Sequence, residues 1–490
     1  MARTFVGWPA FPQAARETTR DTRLRENVRR ATHTFRDKYA ARVGERPDWQ
    51  ELRDSAAAVK DDVLRQLDRY LEQLEERVIE AGGTVYWAAD AAEANRIITG
   101  LVAETGEREI IKVKSMLTEE IGLDNALAAA GIDTRETDLA QIIIQLGDDL
   151  PSHIVVPAVH RNRGQIHDVF VSEMGKHGRP APPDMTEDPN SLADASRAHL
   201  REKFLRAKVA VSGANFMVAE TGTLVVVESE GNARMCLTLP EVLISAVGIE
   251  KIVPTWRDLE VYLQILARSA TGERMSPYVS TWTGVAEGDG PGTFHLVLVD
   301  NGRTRALADP VGRQALRCIR CGACMNVCPV YERTGGHAYG SVYPGPIGAV
   351  LNPLLKGVGD EQTASLPYAS SLCGACDDAC PVRIPLTDLL LKLRHSIAEG
   401  GDDGAVGEGR DRGRGGPHPV QDKAFKAVGA TMEHRTAWNA AVRAAGLAGP
   451  LVPERHLPGA LGGWTESRAV PPVPKESFRA WWKRTDGGRR

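Results

Sequence analysis

Seven of the eight cysteines lie in two short clusters, and each cluster ends in Cys-Pro. The first cluster has the spacing C-x2-C-x2-C-x3-C-P and contains Cys318, Cys321, Cys324 and Cys328. The second contains Cys373, Cys376 and Cys380. The first spacing is that of a loop around a cubane iron–sulfur cluster. These cysteines therefore predict two iron–sulfur clusters and a role in electron transfer.

The spacing rule also predicts that the two clusters exchange ligands, because the fourth cysteine of such a loop binds the other cluster. The first ligand set is then Cys318, Cys321, Cys324 and Cys380, and we expect it to hold a 4Fe-4S cluster. The second set is Cys328, Cys373 and Cys376, and we expect a 4Fe-4S or a 3Fe-4S cluster there. Disulfides belong to small secreted domains and structural zinc favours closed sets of four ligands, so both are poorer explanations.

The second ligand set is one residue short. Ser370 stands three residues before Cys373, where a further motif cysteine would be. Three alternatives are open: a three-iron cluster, a four-iron cluster whose last iron takes Ser370, water or a partner's side chain, or a ligand from a distant part of the chain. Cys236 is the remaining cysteine, but a single cysteine between Met235 and Leu237 is more typical of a small core residue.

Length and composition narrow the class of protein. The 490 residues suggest about three domains, and a hydrophobic content of 42% is enough for sizeable cores. A formal charge of -4 gives no electrostatic case for nucleic-acid binding. We expect no membrane span, since no stretch has 18 consecutive apolar residues, and the start MARTFVGWPAF is too short an apolar segment for a secretory signal. Thiolate clusters need a reducing compartment, which predicts a cytoplasmic protein.

The cysteine clusters follow a long region with alternating strand and helix patterns. Residues 1–50 predict a helical N-terminal arm, and residues 51–300 predict an α/β domain with a mainly parallel sheet. Amphipathic periodicity predicts one helix over 59–78, and Leu- and Ala-rich sequence predicts another over 117–130. The predicted strands are Thr84–Ala88, Ile110–Val113, Ile142–Leu146, Ile154–Pro157, Gly222–Glu228, Val242–Gly248 and Phe294–Val299.

The remaining chain divides into three parts. Residues 301–398 contain both cysteine clusters and predict an α-helical, ferredoxin-like dicluster domain. Residues 399–425 are rich in Gly, Asp and Arg and predict a flexible linker. Residues 426–490 form a C-terminal segment that ends in an aromatic-rich stretch around Trp481. This stretch is either a docking helix or, as the favoured interpretation, a tail packed on the chain's own surface.

Polar residues in the α/β domain are candidates for a binding site. Loops at the carboxyl ends of parallel strands bind ligands in such folds, which favours Lys112, Lys114 and Asn232 as anion-binding residues. Lys114 and Glu220 are the candidate catalytic residues, with Glu220 as acid or base. The alternative is that these charges cap helices and line solvated loops. No Gly-rich dinucleotide motif is present, so the sequence does not support a flavin or nicotinamide site.

Several longer motifs resemble the lactate utilization protein B family. They are Glu136–Gln145, Pro151–His160, Ala219–Leu224, Glu230–Arg234, Gly248–Pro254, Ser371–Cys376 and the C-terminal Ser477–Trp482. The resemblance runs from about residue 50 to the end of the chain. It implies a LUD domain akin to the sugar-phosphate isomerase and coenzyme A transferase class, a ferredoxin-like domain with two clusters, and the same cysteine ligands, again with one fewer in the second set.

The resemblance implies a subunit of a complex that oxidises L-lactate to pyruvate and passes electrons through the two clusters. Its implied partners are a cysteine-rich iron–sulfur subunit and a smaller LUD-domain subunit, with lactate bound at a partner subunit as one alternative. Two other functions stay open: an iron–sulfur redox sensor, and a LUD-domain enzyme whose clusters are structural. A recognisable DNA-binding element would favour the sensor, and the sequence contains none.

Overall fold

The computed structural model describes residues 4–285, 288, 290–399, 419–448, 474, 476–485 and 487. The chain divides into two compact units, residues 1–415 and residues 416–490. The first unit contains both the α/β domain and the cysteine clusters. Within the described residues, no helix combines the length and the apolar character needed to cross a bilayer.

Among the residues that the structure describes, ten strands form two sheets. They are β1 (Thr84–Ala88), β2 (Glu109–Lys112), β3 (Asp133–Glu136), β4 (Val209–Ser212), β5 (Phe216–Val218), β6 (Thr223–Glu228), β7 (Val242–Gly248), β8 (Ile252–Val253), β9 (Tyr278–Trp282) and β10 (Thr293–Val299). The main sheet has six strands in the order β1-β10-β7-β4-β2-β3, and every pair is parallel. The prediction of a mainly parallel α/β domain is confirmed.

A smaller sheet stands beside the main one. Its order is β8-β5-β6-β9, in which β5 and β6 pair antiparallel, β6 and β9 pair antiparallel, and β5 and β8 pair parallel. The Gly222–Glu228 run therefore forms a strand as predicted, but in this mixed sheet. Its first residues are fully buried, which explains the β-branched Val225 and Val226 in its centre.

Twelve helices belong to the N-terminal arm and the α/β domain. They are α1 (Phe11–Thr18), α2 (Thr22–Gly44), α3 (Trp49–Arg65), α4 (Leu67–Glu80), α5 (Ala91–Glu104), α6 (Met116–Glu120), α7 (Leu123–Ala129), α8 (Leu139–Leu146), α9 (Arg163–Glu173), α10 (Pro189–Arg206), α11 (Asn232–Thr238) and α12 (Trp256–Ala270). Two predicted helices are each divided. The 59–78 pattern breaks at Gln66, and the 117–130 pattern breaks at Gly122, which has the left-handed φ of 67° that suits glycine.

Two predicted strands are wrong. Ile142–Leu146 belongs to helix α8, which begins after Asp138, whose side chain accepts a hydrogen bond from the Gln141 amide. An N-cap of this kind starts a helix, and it overrides the β-branched isoleucines. Ile154–Pro157 forms neither strand nor helix, although Ile154 itself is buried.

Seven helices follow in the cysteine-containing region. They are α13 (Arg303–Ala308), α14 (Ala323–Asn326), α15 (Pro329–Thr334), α16 (Gly345–Lys356), α17 (Glu361–Ser365), α18 (Ala375–Ala379) and α19 (Leu386–Glu399). Their apolar residues share one core with residues of α2, α3 and α12. Helix α16 is buried along almost its whole length, so the insert between the two cysteine clusters supplies the centre of this domain.

The second unit is described separately. It contains α20 (Pro419–Glu433), α21 (Arg435–Ala448) and α22 (Phe478–Arg484). Most of the predicted 399–425 linker lies outside the described residues, and its last part, from Pro419, is helical. In α22 the rings of Phe478, Trp481 and Trp482 contact one another, and none of the three is buried. The interpretation of this stretch as a tail packed on the chain's own surface stays a prediction.

Candidate metal centres and the adjoining pocket

The first cysteine loop is a tight turn that leads into helix α14. Arg320 has a φ of 62° and Gly322 a φ of 76°, so the chain turns sharply on both sides of Cys321. The backbone amide of Arg320 donates a hydrogen bond to Cys318 Sγ at 3.4 Å. All three thiols that precede Cys328 in this loop are buried. The loop thus directs three sulfur atoms inward, as the spacing predicted.

The second loop has the same design and is more open. Gly374 has a φ of 81° and precedes helix α18. Cys376 and Cys380 are buried, whereas Cys373 is exposed. The Ile384 amide donates to Cys380 Sγ at 3.3 Å. One edge of the second ligand set therefore reaches the protein surface.

The thiols form the two groups that crossed ligation requires. Burial raises the pKa of Cys321, and the neighbouring Cys318 and Cys380 raise it further. Burial raises the pKa of Cys376 to about 12, with added contributions from Asp377, Cys328 and Cys373. Cys380 is thus a neighbour of the first loop, and Cys328 is a neighbour of the second. The ligand assignment stays a prediction that this proximity favours.

The residues present fit two iron–sulfur clusters. None of the eight cysteines forms a disulfide, and the seven in the two loops converge as soft thiol ligands. Backbone amides already point at three of the sulfur atoms, those of Cys318, Cys328 and Cys380. Amide-to-sulfur hydrogen bonds of this kind tune the potential of a cluster. Cys236 lies apart in the α/β core, 3.5 Å from Thr137 Oγ1, which agrees with its interpretation as a core residue.

The N-terminal helices cover the first ligand set. Arg53 of α3 donates through Nε to the Cys380 carbonyl at 2.9 Å, and Tyr39 of α2 donates to the Ala379 carbonyl at 3.4 Å. Phe35 stacks on His153 with ring centroids 6.0 Å apart. His153 is in turn 3.1 Å from the Asn326 side chain. The helical arm therefore belongs to the wall around the metal-binding loops.

A cavity of about 240 Å³ joins the α/β domain to the first cysteine loop. Its walls include Lys114, which follows β2, Asn215, which follows β4, and Lys251, which follows β7. Arg320 and Cys321 line the same cavity. The carboxyl ends of parallel strands are the usual ligand site of an open α/β sheet. Here that site has a predicted cluster ligand in its wall.

The two lysines of the cavity differ in their partners. Lys114 donates to the Ile154 carbonyl, and burial lowers its pKa. The pKa of Lys251 is lowered to about 8, mainly by burial and next by the charge of nearby Arg320. In the part of the chain that the structure describes, the Lys251 ammonium has no hydrogen bond and no ion pair. Lys251 is the residue of this site that the sequence did not suggest.

Two other candidates from the sequence, Lys112 and Glu220, make structural contacts outside the cavity. Lys112 is fully buried and pairs with Glu136 at 2.6 Å, Asp124 at 3.0 Å and Glu119 at 3.4 Å, so it does not face the cavity as an anion site. Glu220 lies outside the cavity, on the surface, where its carboxylate accepts a hydrogen bond from the Trp256 amide at 3.2 Å.

The remaining candidate, Asn232, does line the cavity, and its amide donates to Thr137 Oγ1 at 3.3 Å. Of the two catalytic candidates, the structure therefore places Lys114 in the pocket and leaves Glu220 at the start of helix α12.

A buried ion network connects the cavity wall to the cysteine region. Glu250 accepts from Arg303 Nε at 2.6 Å and from Arg320 at 3.1 Å. Arg303 also donates to Glu120 at 2.9 and 3.0 Å, and Tyr343 donates to the same carboxylate at 2.5 Å. Burial alone would raise the pKa of Glu250, but the two arginines lower it to about 2. The network holds the first cysteine loop against the α/β domain.

Three regions of the chain match models of known protein families. Residues 71–299 match the LUD domain, residues 314–384 match the 4Fe-4S dicluster domain, and residues 392–486 match the C-terminal region of lactate utilisation protein B. The second match makes this an iron–sulfur protein, in agreement with the geometry of the cysteine loops.

Close relatives extend over the whole chain. Lactate utilization protein B of Oceanobacillus iheyensis is 42% identical over 94% of this chain and 93% of its own length. The chain belongs to the lactate utilization protein B family. Uncharacterized electron transport protein YkgF of Escherichia coli is 42% identical over 97% of this chain and 96% of its own length. A solved DUF162 family protein from Deinococcus radiodurans covers 48% of this chain at 15% identity, with a TM-score of 0.26.

In this member of the lactate utilization protein B family, the site contains residues that the sequence indicated only indirectly. Glu250 and Lys251 lie within the Gly248–Pro254 motif that carries part of the resemblance, yet nothing in the motif assigns them a chemical role. Arg320 lies between two ligand cysteines, where the spacing rule assigns no role to the side chain. Their importance depends on contacts between residues 70 positions apart, which no local pattern encodes.

Proposed function

We propose that this chain is the cytoplasmic iron–sulfur electron-transfer subunit of a complex that oxidises L-lactate to pyruvate. Its proposed partners are a cysteine-rich iron–sulfur subunit and a smaller LUD-domain subunit. The observation that carries the proposal is the placement of the two cysteine groups. One borders the cavity at the carboxyl ends of the parallel strands, and the other reaches the surface at Cys373. This placement suits a protein that connects a buried site with an external redox partner.

The chemistry requires a carrier that protein side chains alone do not provide. Oxidation of lactate to pyruvate releases two electrons and two protons. Iron–sulfur clusters supply one-electron carriers when they are bound. The chain's own contribution is to hold two ligand sets, to bury six of the seven thiols and to leave Cys373 exposed. The names of the relatives, lactate utilization and electron transport, support both halves of the proposal.

The proposal is tested on the native complex, purified without oxygen through a tag on this chain. We expect the two partner subunits to copurify and L-lactate to reduce an artificial dye in the presence of the complex. Cys376→Ala should lower the rate of dye reduction at least about tenfold, because it removes a ligand of the second set. Cys236→Ala is the matched control, since it changes a buried thiol outside both sets, and it should leave the rate unchanged.

Two results would overturn the proposal. One is a complex that reduces the dye equally well without this chain. The other is specific DNA binding by the purified chain with no copurifying partner, which would favour the redox sensor. Loss of lactate oxidation only when cavity residues are changed, with Cys376→Ala fully active, would instead favour an enzyme with structural clusters.

A further inference from the structure

The two cysteine segments are copies of one loop, 52 residues apart in the chain. Cys373 follows Cys321 by 52 residues, and Cys376 and Cys380 follow Cys324 and Cys328 by the same interval. Both copies continue with proline. At this interval the partner of Cys318 is Ser370.

The backbone repeats as well as the sequence. Cys321 and Cys373 are equivalent in the repeat, and the residue before each has a left-handed φ, 62° at Arg320 and 55° at Leu372. The residue after each is a glycine, with a φ of 76° at Gly322 and 81° at Gly374. A positive φ is uncommon for residues such as arginine and leucine, so two such residues at equivalent places indicate one loop conformation.

The same hydrogen bond forms in both copies. In the first, the Arg320 amide donates to Cys318 Sγ at 3.4 Å. In the second, the Leu372 amide donates to Ser370 Oγ at 3.1 Å. The serine oxygen therefore occupies the place of the cysteine sulfur with respect to the loop, and it accepts the amide that a cluster ligand accepts.

The backbone at Ser370 is fixed from outside the loop. Arg394 donates to the Ser370 carbonyl at 2.9 Å and to the Pro367 carbonyl at 2.8 Å. The same guanidinium lies over the Tyr368 ring, 5.3 Å from its centroid. These contacts of Arg394 hold the backbone at Ser370 in place.

We propose that Ser370 Oγ is the fourth ligand of the second cluster, which is then a 4Fe-4S cluster with three thiolates and one serine oxygen. Binding forms an Fe–O bond and breaks the Ser370 O–H bond, and the proton passes to solvent. No electron is transferred in this step. The proposal concerns the metal site alone and does not depend on lactate as the substrate.

The test uses the full chain, loaded with 57Fe under anaerobic conditions. Wild-type protein should contain about eight irons per chain, and its Mössbauer spectrum should show one iron site distinct from the thiolate-ligated sites. Ser370→Ala should contain about seven irons and show the paramagnetic signal of an oxidised three-iron cluster. Ser370→Cys should keep about eight irons and lose the distinct iron site.

Ser371→Ala is the matched control, because Ser371 is the exposed neighbour of Ser370 and its side chain has no place in the repeat. It should match the wild type in iron content and spectrum. A three-iron cluster in the wild-type chain would overturn the proposal. So would an unchanged spectrum and iron content in Ser370→Ala, which would assign the last iron to water or to another residue.

A second inference comes from the cavity beside Cys321. The acidic residues of its wall already accept hydrogen bonds from backbone amides: Glu228 from Ala233 and Arg234, Glu230 from Leu139, and Asp138 from Gln141. The Lys251 ammonium has no such partner in the described ranges of the chain. Lys251 is half-buried in the cavity wall, and an ammonium without a partner at such a place favours a bound anion.

We infer that this cavity binds a small organic anion through its carboxylate, which Lys251 and Lys114 hold. The wall carries four carboxylates, and Glu250 among them is paired with Arg303 and Arg320. A singly charged carboxylate suits the two ammonium groups beside the other three carboxylates better than a doubly charged phosphate does. The choice of lactate or pyruvate as the specific anion rests on the proposed function. The binding site itself rests on the geometry of the cavity.

The test is calorimetric titration of the cluster-loaded full chain with pyruvate, L-lactate and inorganic phosphate in separate experiments. We expect saturable binding of a carboxylate and none of phosphate, with binding about tenfold or more weaker in Lys251→Gln. We also expect the bound anion to change the paramagnetic spectrum of the first cluster, because Cys321 lines the cavity. Lys208→Gln is the control, since Lys208 is an exposed lysine far from this wall.

Binding of phosphate alone, or equal carboxylate binding by Lys251→Gln, would overturn the inference. A chain that binds no carboxylate would overturn it as well. If the whole complex still oxidises lactate in that case, the proposed electron-transfer function stands and lactate binds on a partner subunit.

Discussion

At the scale of single residues, Glu250 is the connection between the two halves of the first unit. It is fully buried in the α/β domain, and its carboxylate accepts from Arg303 and Arg320, which both belong to the cysteine-containing region. Removal of one partner from a buried ion network leaves the others charged and desolvated. A neutral substitution in this network should therefore lower the free energy of unfolding more than a neutral substitution in an exposed ion pair.

We predict that Glu250→Gln lowers the free energy of unfolding by about 3 kcal/mol, because buried Arg320 loses its carboxylate and buried Arg303 keeps only that of Glu120. The measurement is urea unfolding of the loaded protein, followed by tryptophan fluorescence. Glu260→Gln changes an exposed carboxylate on helix α12 and should shift the free energy by no more than about 0.5 kcal/mol. Equal stability of the two variants would contradict the role given to Glu250.

The sequence could predict the cluster ligands of the site. The spacing of the cysteines is set by the loop that holds a cluster, so it can be read locally, and the same holds for the position of Ser370. Lys251 and Glu250 could not be found in this way, since their role comes from residues distant in sequence. Glu220 belongs to a polar segment of the α/β domain, but the structure places it after β5 of the smaller sheet, where its carboxylate accepts from the first amide of helix α12.

At the scale of elements, the segment between β3 and α9 packs closely against the insert between the cysteine clusters. The Tyr331 hydroxyl donates to the Ser152 carbonyl at 2.7 Å, and a Cβ at Gly336 would collide with the same carbonyl oxygen. The glycine is needed here for close approach of two backbones, since its φ is not in the left-handed region.

We predict that Gly336→Ala destabilises the protein by about 1–3 kcal/mol, because the added methyl group forces the two segments apart. Gly359→Ala is the matched control, since a Cβ there has no neighbour within 4 Å. Thermal unfolding of both variants at equal cluster content gives the comparison. If the Gly336→Ala protein were as stable as Gly359→Ala, the segment that contains Ser152 would make room for the methyl group without a loss of stability.

Elements with clear periodicity were predicted well, and short apolar runs were not. The parallel strands of the main sheet carry β-branched residues between turn signals, which identified β1, β7 and β10. Ile142–Leu146 has the same composition, but a run of five apolar residues fits a buried helix equally well. The N-cap at Asp138 starts the helix, and this residue lies four positions before the Ile142–Leu146 run.

At the scale of the whole molecule, acid stability depends on histidines buried between domains. Burial lowers the pKa of His337 to about 4, and the charges of His160 and Arg161 act in the same direction while Asp149 opposes them. His337 donates to the Leu150 carbonyl at 2.7 Å, so it connects the insert to the α/β domain. A histidine with a lowered pKa stabilises the fold above its unfolded pKa of 6.5, and this contribution is lost as pH falls towards 4.

We predict that the free energy of unfolding falls by about 3 kcal/mol between pH 6.5 and pH 4 through His337 alone. His337→Gln cannot bind this proton, so its stability should depend less on pH in that range, although its stability at pH 7 is lower. Exposed His395→Gln provides the comparison and should keep the wild-type slope. Identical slopes for the two variants would show that His337 does not titrate on unfolding.

The open edge at Cys373 has a practical consequence for anyone who handles this protein. The first ligand set lies beneath helices α2 and α3, whereas the second offers one sulfur directly to dissolved oxygen and to chelators. Damage in air should begin there. A preparation that has lost part of its colour would then be a mixture of chains with an intact inner centre and a degraded outer one, rather than a mixture of full and empty chains.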